Sequence, residues 1–372
     1  MMLWVMYMKT IKLYDERPYD TKFEAVVISI DKNVIVLDQT LFFPEEGGQE
    51  CDLGTINGFD VKDVQIKDGV IYHTLKKHGL HVGDSVIGII NWERRYSFMQ
   101  NHSGEHLLSG IVHSLYGYEN VSFHLNNEEG TVEYGGPIED LDTLEMKVNE
   151  AIYENKTIHC FYPDDPSVIE YRSKKEIKGP IRIIDIEDYD TCACCAPHVR
   201  HTGEIGVFKI LKSINTSRGT RFTFVCGKRA YKCFREDSKQ LESLYHLFSS
   251  NSKTLLKQVK KMYEEKNELD IKYNHLEKKY LISLIDGPYL FIEDCSNINQ
   301  REITNHLVEH YSTGGVFVGN DTKGYRYVIG SKNNALDILT RLKSLNTKGG
   351  GSKEMIQGYA PCIKTDLLKV LS

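Results

Sequence analysis

Two pairs of metal-ligand side chains, each spaced by four residues, constrain this chain more than any other feature. His102-Ser103-Gly104-Glu105-His106 lies where Met99, His102, His106, Leu107 and Ile111 recur at helical spacing, which puts both imidazoles on one helix face. About ninety residues on, Cys194-Cys195-Ala196-Pro197-His198 repeats the offset with a thiolate and a third imidazole. One helical His pair is more often a surface feature or a satisfied core. Two such pairs in one chain are far less expected by accident. Three imidazoles with one thiolate suit Zn2+ by softness and number.

Other chemistries compete for these residues. The first motif also fits H-x-x-E-H, the inverted metallopeptidase signature, with Glu105 as general base. That reading asks for a downstream glutamate as third ligand and gives Cys194 and His198 no role, so the second pair weighs against it. A closed tetrahedral set of four protein ligands would instead make the zinc structural. Catalysis needs an open position, through displacement of one ligand or a five-coordinate ion.

A chain of 372 residues is too long for one ordinary core and implies two to four domains. Hydrophobic residues at 41% and charged residues at 26% are ordinary for a soluble globular protein. A net charge of -6 argues against coating nucleic acid by bulk charge, while leaving room for a local basic groove. No apolar run approaches the ~20 residues of a membrane span. The nine cysteines are odd in number, and three fall within positions 192–195. That clustering points to a metal or thiolate site in a reducing compartment, hence to the cytoplasm.

The pattern along the chain predicts an α+β protein in four pieces. Residues 1–90 read as a small glycine-rich β-barrel, with β-branched runs broken by Asp31-Lys32-Asn33 and by repeated glycine turns. Residues 91–230 read as a zinc-containing α+β domain. In 231–284, Leu255, Val259, Met262, Lys266, Leu269, Tyr273, Leu276 and Tyr280 alternate by four and three. That seam predicts a helical hairpin or short coiled coil, and homodimer contact is expected through this helical linker or through the C-terminal domain. Residues 285–372 read as a small C-terminal α/β domain in which Lys348-Gly349-Gly350-Gly351-Ser352 forms a flexible turn.

The two ligand pairs, in this order, resemble the editing domain shared by alanyl-tRNA synthetases and the AlaX proteins. Leu37-Asp38-Gln39-Thr40-Leu41-Phe42-Phe43-Pro44-Glu45-Glu46-Gly47-Gly48-Gln49 is similar to the family's glycine-rich segment, with Glu46 where many relatives have a third glycine. Trp92-Glu93-Arg94-Arg95, leading to Met99-Gln100-Asn101-His102, is similar to the start of its helix. Cys226-Gly227-Lys228-Arg229-Ala230 resembles the end of the editing domain, and Gly349-Gly350-Gly351 with Gln357-Gly358 resembles the C-terminal domain of the long AlaX form. The likeness begins near Lys9. Met8 is therefore a candidate initiator, residues 1–7 are an expected extension, and their deletion is expected to leave stability unchanged.

The resemblance implies zinc-dependent hydrolysis of the ester joining serine or glycine to alanine tRNA, with His102, His106, Cys194 and His198 as the ligand set. It implies Thr40 as the group that bonds the serine hydroxyl, Gln49 as a contact to substrate or terminal adenosine, and Glu105 as base or as a group orienting an imidazole. Cys192 and Cys195 crowd the expected ligand Cys194. For tRNA, the span from Lys209 to Arg235 contains Arg218, Arg221, Lys228 and Arg229 and no acid at all, which favours phosphate binding. Lys348 and Lys353, flanking Gly349, Gly350 and Gly351, are expected to add a second backbone contact. A tRNA-binding module around a structural zinc remains the non-catalytic alternative.

Overall fold

The computed structural model describes residues 9–173 and 179–372. It shows an α+β fold of several sheets and helices, in two compact units, Met1–Leu241 and Glu242–Ser372. The expectations for Met8 and for residues 1–7 lie outside the described residues.

In the first unit, six strands close into a barrel in the order Lys22–Asp31, Val34–Leu37, Val70–Leu75, Phe59–Lys67, Gly54–Ile56, Ser85–Ile90. Alternation over the first six residues of Lys22–Asp31 sends Phe23, Ala25 and Val27 inward, as a half-buried strand requires. Asn57-Gly58 and Asp68-Gly69 take positive φ at the hairpin tips, a conformation these residues tolerate best. Ile11–Lys12 and Gln39–Thr40 pair in parallel outside the ring.

The helix Trp92–Tyr116 follows directly. The Asn91 side chain accepts from the Arg94 N–H at its start, and Gly117, at φ 68°, ends it. Every residue from Phe98 to Val112 is buried. A helix buried on all sides must be enclosed by other elements. The helix Leu141–Tyr153 and a four-stranded sheet share its core, and the strand Asp190–Ala193, from a three-stranded sheet, packs against it. Gly110 makes that last approach feasible, since a Cβ there would lie 2.2 Å from the Tyr189 carbonyl oxygen.

The second unit holds the helix Leu255–Ser283 and a five-stranded sheet. The strand order is Tyr289–Ile292, Thr313–Asn320, Gly324–Ser331, Met355–Ala360, Lys348–Gly351. Only the first two strands run parallel. Phe317, Tyr327, Ile329, Leu339, Leu342, Ile356 and Leu367 form the larger of its cores.

These observations correct the expected succession of four pieces. The six-stranded ring is not a self-contained domain, because Ala196 lies in its core and Cys194 and Cys195 pack against it. The glycine-rich stretch 43–53 lies outside the ring strands. The seam of Leu255–Ser283 is not packed as a hairpin: Leu269, Tyr273, Leu276 and Tyr280 are each 63–65% exposed. The C-terminal sheet is mostly antiparallel, because short connections favour hairpins over crossovers, so that region is α+β and not α/β. Lys348–Gly351 is not a flexible turn. It is an edge strand paired with Met355–Ala360, and Gly349 has to be glycine there because a Cβ would meet the Tyr327 hydroxyl at 2.3 Å.

Candidate metal centre and adjoining clefts

One face of the buried helix carries His102 and His106, and the loop after strand Asp190–Ala193 carries Cys194 and His198. One donor atom from each of the four lies within 4.8 Å of the others. The Cys194 Sγ is 3.6 Å from His102 Nε2 and 3.3 Å from His198 Nε2. The cluster is thus able to coordinate a metal, and its donors suit zinc.

The opposite ring nitrogens are all engaged. His102 Nδ1–H donates to Gln49 Oε1 at 2.8 Å, and His106 Nδ1–H to Asp190 Oδ2 at 3.2 Å. His198 Nδ1 lies 3.1 Å from Ser103 Oγ, which also accepts from the Val199 N–H. A ligating imidazole needs this arrangement, with one nitrogen fixed by an outer acceptor and the other directed at the ion. The buried His106 Nε2 finds no hydrogen-bond partner among the described residues. Burial would raise the Cys194 thiol, but the His102 and His198 imidazoles beside it hold it well below the ordinary thiol range. Burial holds His198 down to about 3, against the pull of Cys194, so its imidazole is neutral. Both are the protonation states that a metal ligand requires.

Arg182 donates to the carbonyls of Cys194 and Ala196, fixing the loop that presents the thiolate. His106, Asp190 and Cys192 form a second group of close donors sharing His106. Cys195 belongs to neither group and packs on the barrel core.

A cleft of about 650 Å³ opens beside His106. Glu105, Asn120, Arg172, Asp190 and Cys192 help to line it. Glu105 Oε1 accepts from Ser109 Oγ at 2.7 Å and from the Asn120 amide. Arg172 binds Asp190 Oδ1 at 2.8 Å. Thr40 is fully buried and is not among the residues lining this cleft. Its Oγ1 accepts from the Phe42 N–H and lies 3.0 Å from His73 Nε2, and neither partner is in the metal cluster. Gln49 reaches the cluster through His102, by way of Gly47 and Gly48 at positive φ. A Cβ on Gly48 would meet the Phe123 carbonyl oxygen at 2.5 Å.

The acid-free basic span acquires acids once folded. Arg218 and Arg221 both bind Glu133, which is sealed from solvent and which Arg221, Thr216 and Arg218 hold down to about 2. Lys209 pairs with Glu145, and Lys228 with Glu93. Lys228 and Arg229 nonetheless meet Arg94, Lys232 and Arg235 around a second cleft of about 460 Å³, where Glu93 is the acid. Burial pushes the Arg229 guanidinium down to about 10, and its buried Nη2 has no partner among the described residues. Gly349, Gly350 and Gly351 lie in the second unit.

Gln49 as a support for His102, and Ser103, Asp190, Asn120 and Arg172 altogether, escape a reading of the sequence. One signal was present for Asp190: strand alternation places Asp190 and Cys192 on one side, two residues before Cys194.

Comparison with known proteins relates the chain to tRNA synthetases and alanyl-tRNA editing proteins. Residues 7–94 match the family described as tRNA synthetases class II (A), and residues 181–223 match the threonyl and alanyl tRNA synthetase second additional domain. The chain is 26% identical over 382 residues to the alanyl-tRNA editing protein AlaX-L of Pyrococcus horikoshii, covering 93% of this chain and 94% of that one. It is 31% identical over 405 residues to the alanine–tRNA ligase of Methanoregula boonei, covering 96% of this chain but 42% of the ligase. With the alanyl-tRNA editing protein Aarsd1 of Danio rerio it shares 34% identity over 217 residues, 56% of this chain and 52% of that one. The chain therefore spans under half of the ligase and about half of Aarsd1. It is an AlaX-like homologue of alanyl-tRNA editing proteins and of part of alanine–tRNA ligase. No helix among the described residues is long and apolar enough to cross a membrane.

Proposed function

We propose that this protein is a zinc-dependent deacylase that removes misattached serine or glycine from alanine tRNA. The observation that carries this reading is a buried His102–His106–Cys194–His198 cluster, with every imidazole braced from outside, opening beside His106 onto a substrate-sized cleft. Homology to synthetase and editing domains supports hydrolase activity. A small alanine pocket rejects glycine or an added hydroxyl only modestly, so a second, hydrolytic sieve is useful.

His102, His106, Cys194 and His198 would hold zinc, which when bound supplies Lewis acidity toward the ester carbonyl and toward water. Gln49, Ser103 and Asp190 keep the imidazoles in one tautomer and orientation. Glu105, at the cleft wall, would act as general base toward the attacking water. Hydrolysis then breaks the acyl bond to the ribose oxygen, which leaves with a proton. Thr40 reads the serine hydroxyl by exchanging its bond to His73. Arg229, Lys228 and the basic residues around them bind phosphate, and the Gly349–Gly351 edge adds a second tRNA contact. The nine free cysteines fit a cytoplasmic setting, and the exposed seam of Leu255–Ser283 fits a homodimer.

A deacylation time course on serine-, glycine- and alanine-charged alanine tRNA, with and without chelator, tests the reading. Zinc-dependent release of serine or glycine, with alanine spared, is the expected result. Binding of tRNA without release by metal-loaded protein would overturn it and leave a tRNA-binding module around a structural ion. Peptide cleavage dependent on Glu105 would point instead to the inverted-type peptidase.

A further inference from the structure

Asn120, which helps to line the cleft beside His106, carries a polar atom that nothing described so far uses. Asn120 is 8% exposed and lines the cleft, and its amide NH2 donates to Glu105 Oε1. A carboxylate only accepts, so this bond fixes which way the amide points. The Asn120 Oδ1 is consequently an acceptor, and it is buried with no hydrogen-bond partner among the described residues. A buried carbonyl of this kind calls for a donor.

The surroundings say what kind of donor. Four carboxylates, Glu105, Glu119, Glu170 and Asp190, line the same cleft. Its guanidinium, Arg172, is already committed to Asp190 at 2.8 Å and to Glu119 at 3.4 Å. His113 lies 2.8 Å from Glu119. A ligand group that brings N–H donors and positive charge is matched here, whereas a phosphate or carboxylate would face like charge.

Resting on the deacylase reading above, we infer that Asn120 Oδ1 accepts a hydrogen bond from the α-ammonium of the aminoacyl ester. Asn120 is thus a specificity-determining residue that selects aminoacyl over hydroxyacyl or N-blocked esters. The selection acts on the one group common to serine and glycine, so it needs no contact with the side chain. Glu105 supports it twice, by orienting the Asn120 amide and by adding negative charge to the same wall.

The test compares serine-charged alanine tRNA with its deaminated counterpart, in which a hydroxyl replaces the ammonium, using the zinc-loaded full chain and Asn120→Ala. The wild type is expected to favour the ammonium ester in kcat/KM by about 10- to 100-fold, the range of a hydrogen bond to a charged group. In Asn120→Ala that ratio is expected to collapse to a few-fold. The readout is a ratio within one protein, so a general loss of activity from a disturbed Glu105 cancels. Equal hydrolysis of both esters by the wild type overturns the inference whether or not the variant folds, and leaves the deacylase reading standing. A ratio preserved in Asn120→Ala also overturns it, by placing ammonium recognition elsewhere. Hydrolysis of neither ester by the wild type removes the deacylase reading and the inference with it.

Discussion

The two clefts of the first unit differ in almost every physical respect. The cleft at His106 is walled by carboxylates, reaches a buried cluster, and draws its residues from the central helix, the strand Asn120–Leu125 and the segment around Asp190. The cleft at Arg229 is walled by cations, and its residues come from the N-terminal parts of the helices Trp92–Tyr116 and Gly227–Leu247, with Asn91 and Asn127 beside them. Side chains of the first are braced by other side chains: Asp190 by Arg172, His106 by Asp190, Glu105 by Ser109. Several cations of the second, Lys228 and Lys232 among them, stand largely in solvent. Bracing of that kind suits a place where atoms must be held to fractions of an ångström. Mobile surface cations suit a polyanion whose exact position matters little.

The sharpest way to break this contrast is to remove a donor from the cluster. Cys194→Ala is expected to lose nearly all bound zinc, whereas Cys192→Ala and Cys195→Ser keep most of it, as metal analysis of the three purified variants would show. Equal loss in all three would mean that the thiolate was misassigned. Next in size, Lys228→Ala, Lys232→Ala and Arg235→Ala combined should weaken tRNA binding. The slope of log affinity against log salt should fall by roughly one per lost phosphate contact. Zinc content and the rate at saturating tRNA should not change, and a fallen saturated rate would merge the two clefts into one machine.

Thr40→Val probes a residue lining neither cleft. Serine release should fall roughly 2- to 13-fold, the worth of one uncharged hydrogen bond, with glycine release little changed. The same substitution strips the Phe42 N–H and His73 of a buried partner, so a stability loss of about 1–3 kcal/mol is expected in the melting temperature. Equal loss on both substrates would make Thr40 a residue of the fold and not of recognition.

The smallest effect concerns Glu133, which binds Arg218 and Arg221, and neither arginine lines either cleft. Its carboxyl sits at about 2 in the folded chain against the usual 4.5. The stability it contributes is therefore fully present above pH 4.5 and is lost as pH falls toward 2. The gap in melting temperature between wild type and Glu133→Gln should close across that window. A gap that stays constant in acid would show that the arginines do not depend on this charge.

The legible part of the site was the part with fixed spacing. His102 and His106, like Cys194 and His198, reveal themselves because a four-residue offset is a local property. Asp190, Ser103 and Gln49 did not reveal their roles, because an outer hydrogen bond to an imidazole can come from any element that packs nearby. Charge misled for the same reason. The span from Lys209 to Arg235 carries no acid of its own, yet Glu133, Glu93 and Glu145 arrive from other strands and helices to neutralise much of it. The triple glycine reads locally as a break. Only the partner strand Met355–Ala360 makes it an edge, and Tyr327 makes glycine obligatory at 349. The heptad of Leu255–Ser283 correctly signals a helix but cannot say what, if anything, covers its seam.

The distance along the chain between the two halves of the cluster has a consequence for synthesis. At about 5–20 residues per second, the segment bearing Cys194 and His198 leaves the ribosome roughly 5–20 seconds after the one bearing His102 and His106. Through that interval the nascent helix Trp92–Tyr116 has no Asp190 for His106, no thiolate, and no strand Asp190–Ala193 or Gly219–Cys226 to cover it. The most enclosed helix of the first unit is therefore born exposed and must wait for much of its own enclosure, and the six barrel strands, all encoded before it, wait as long for Ala196 to complete their core.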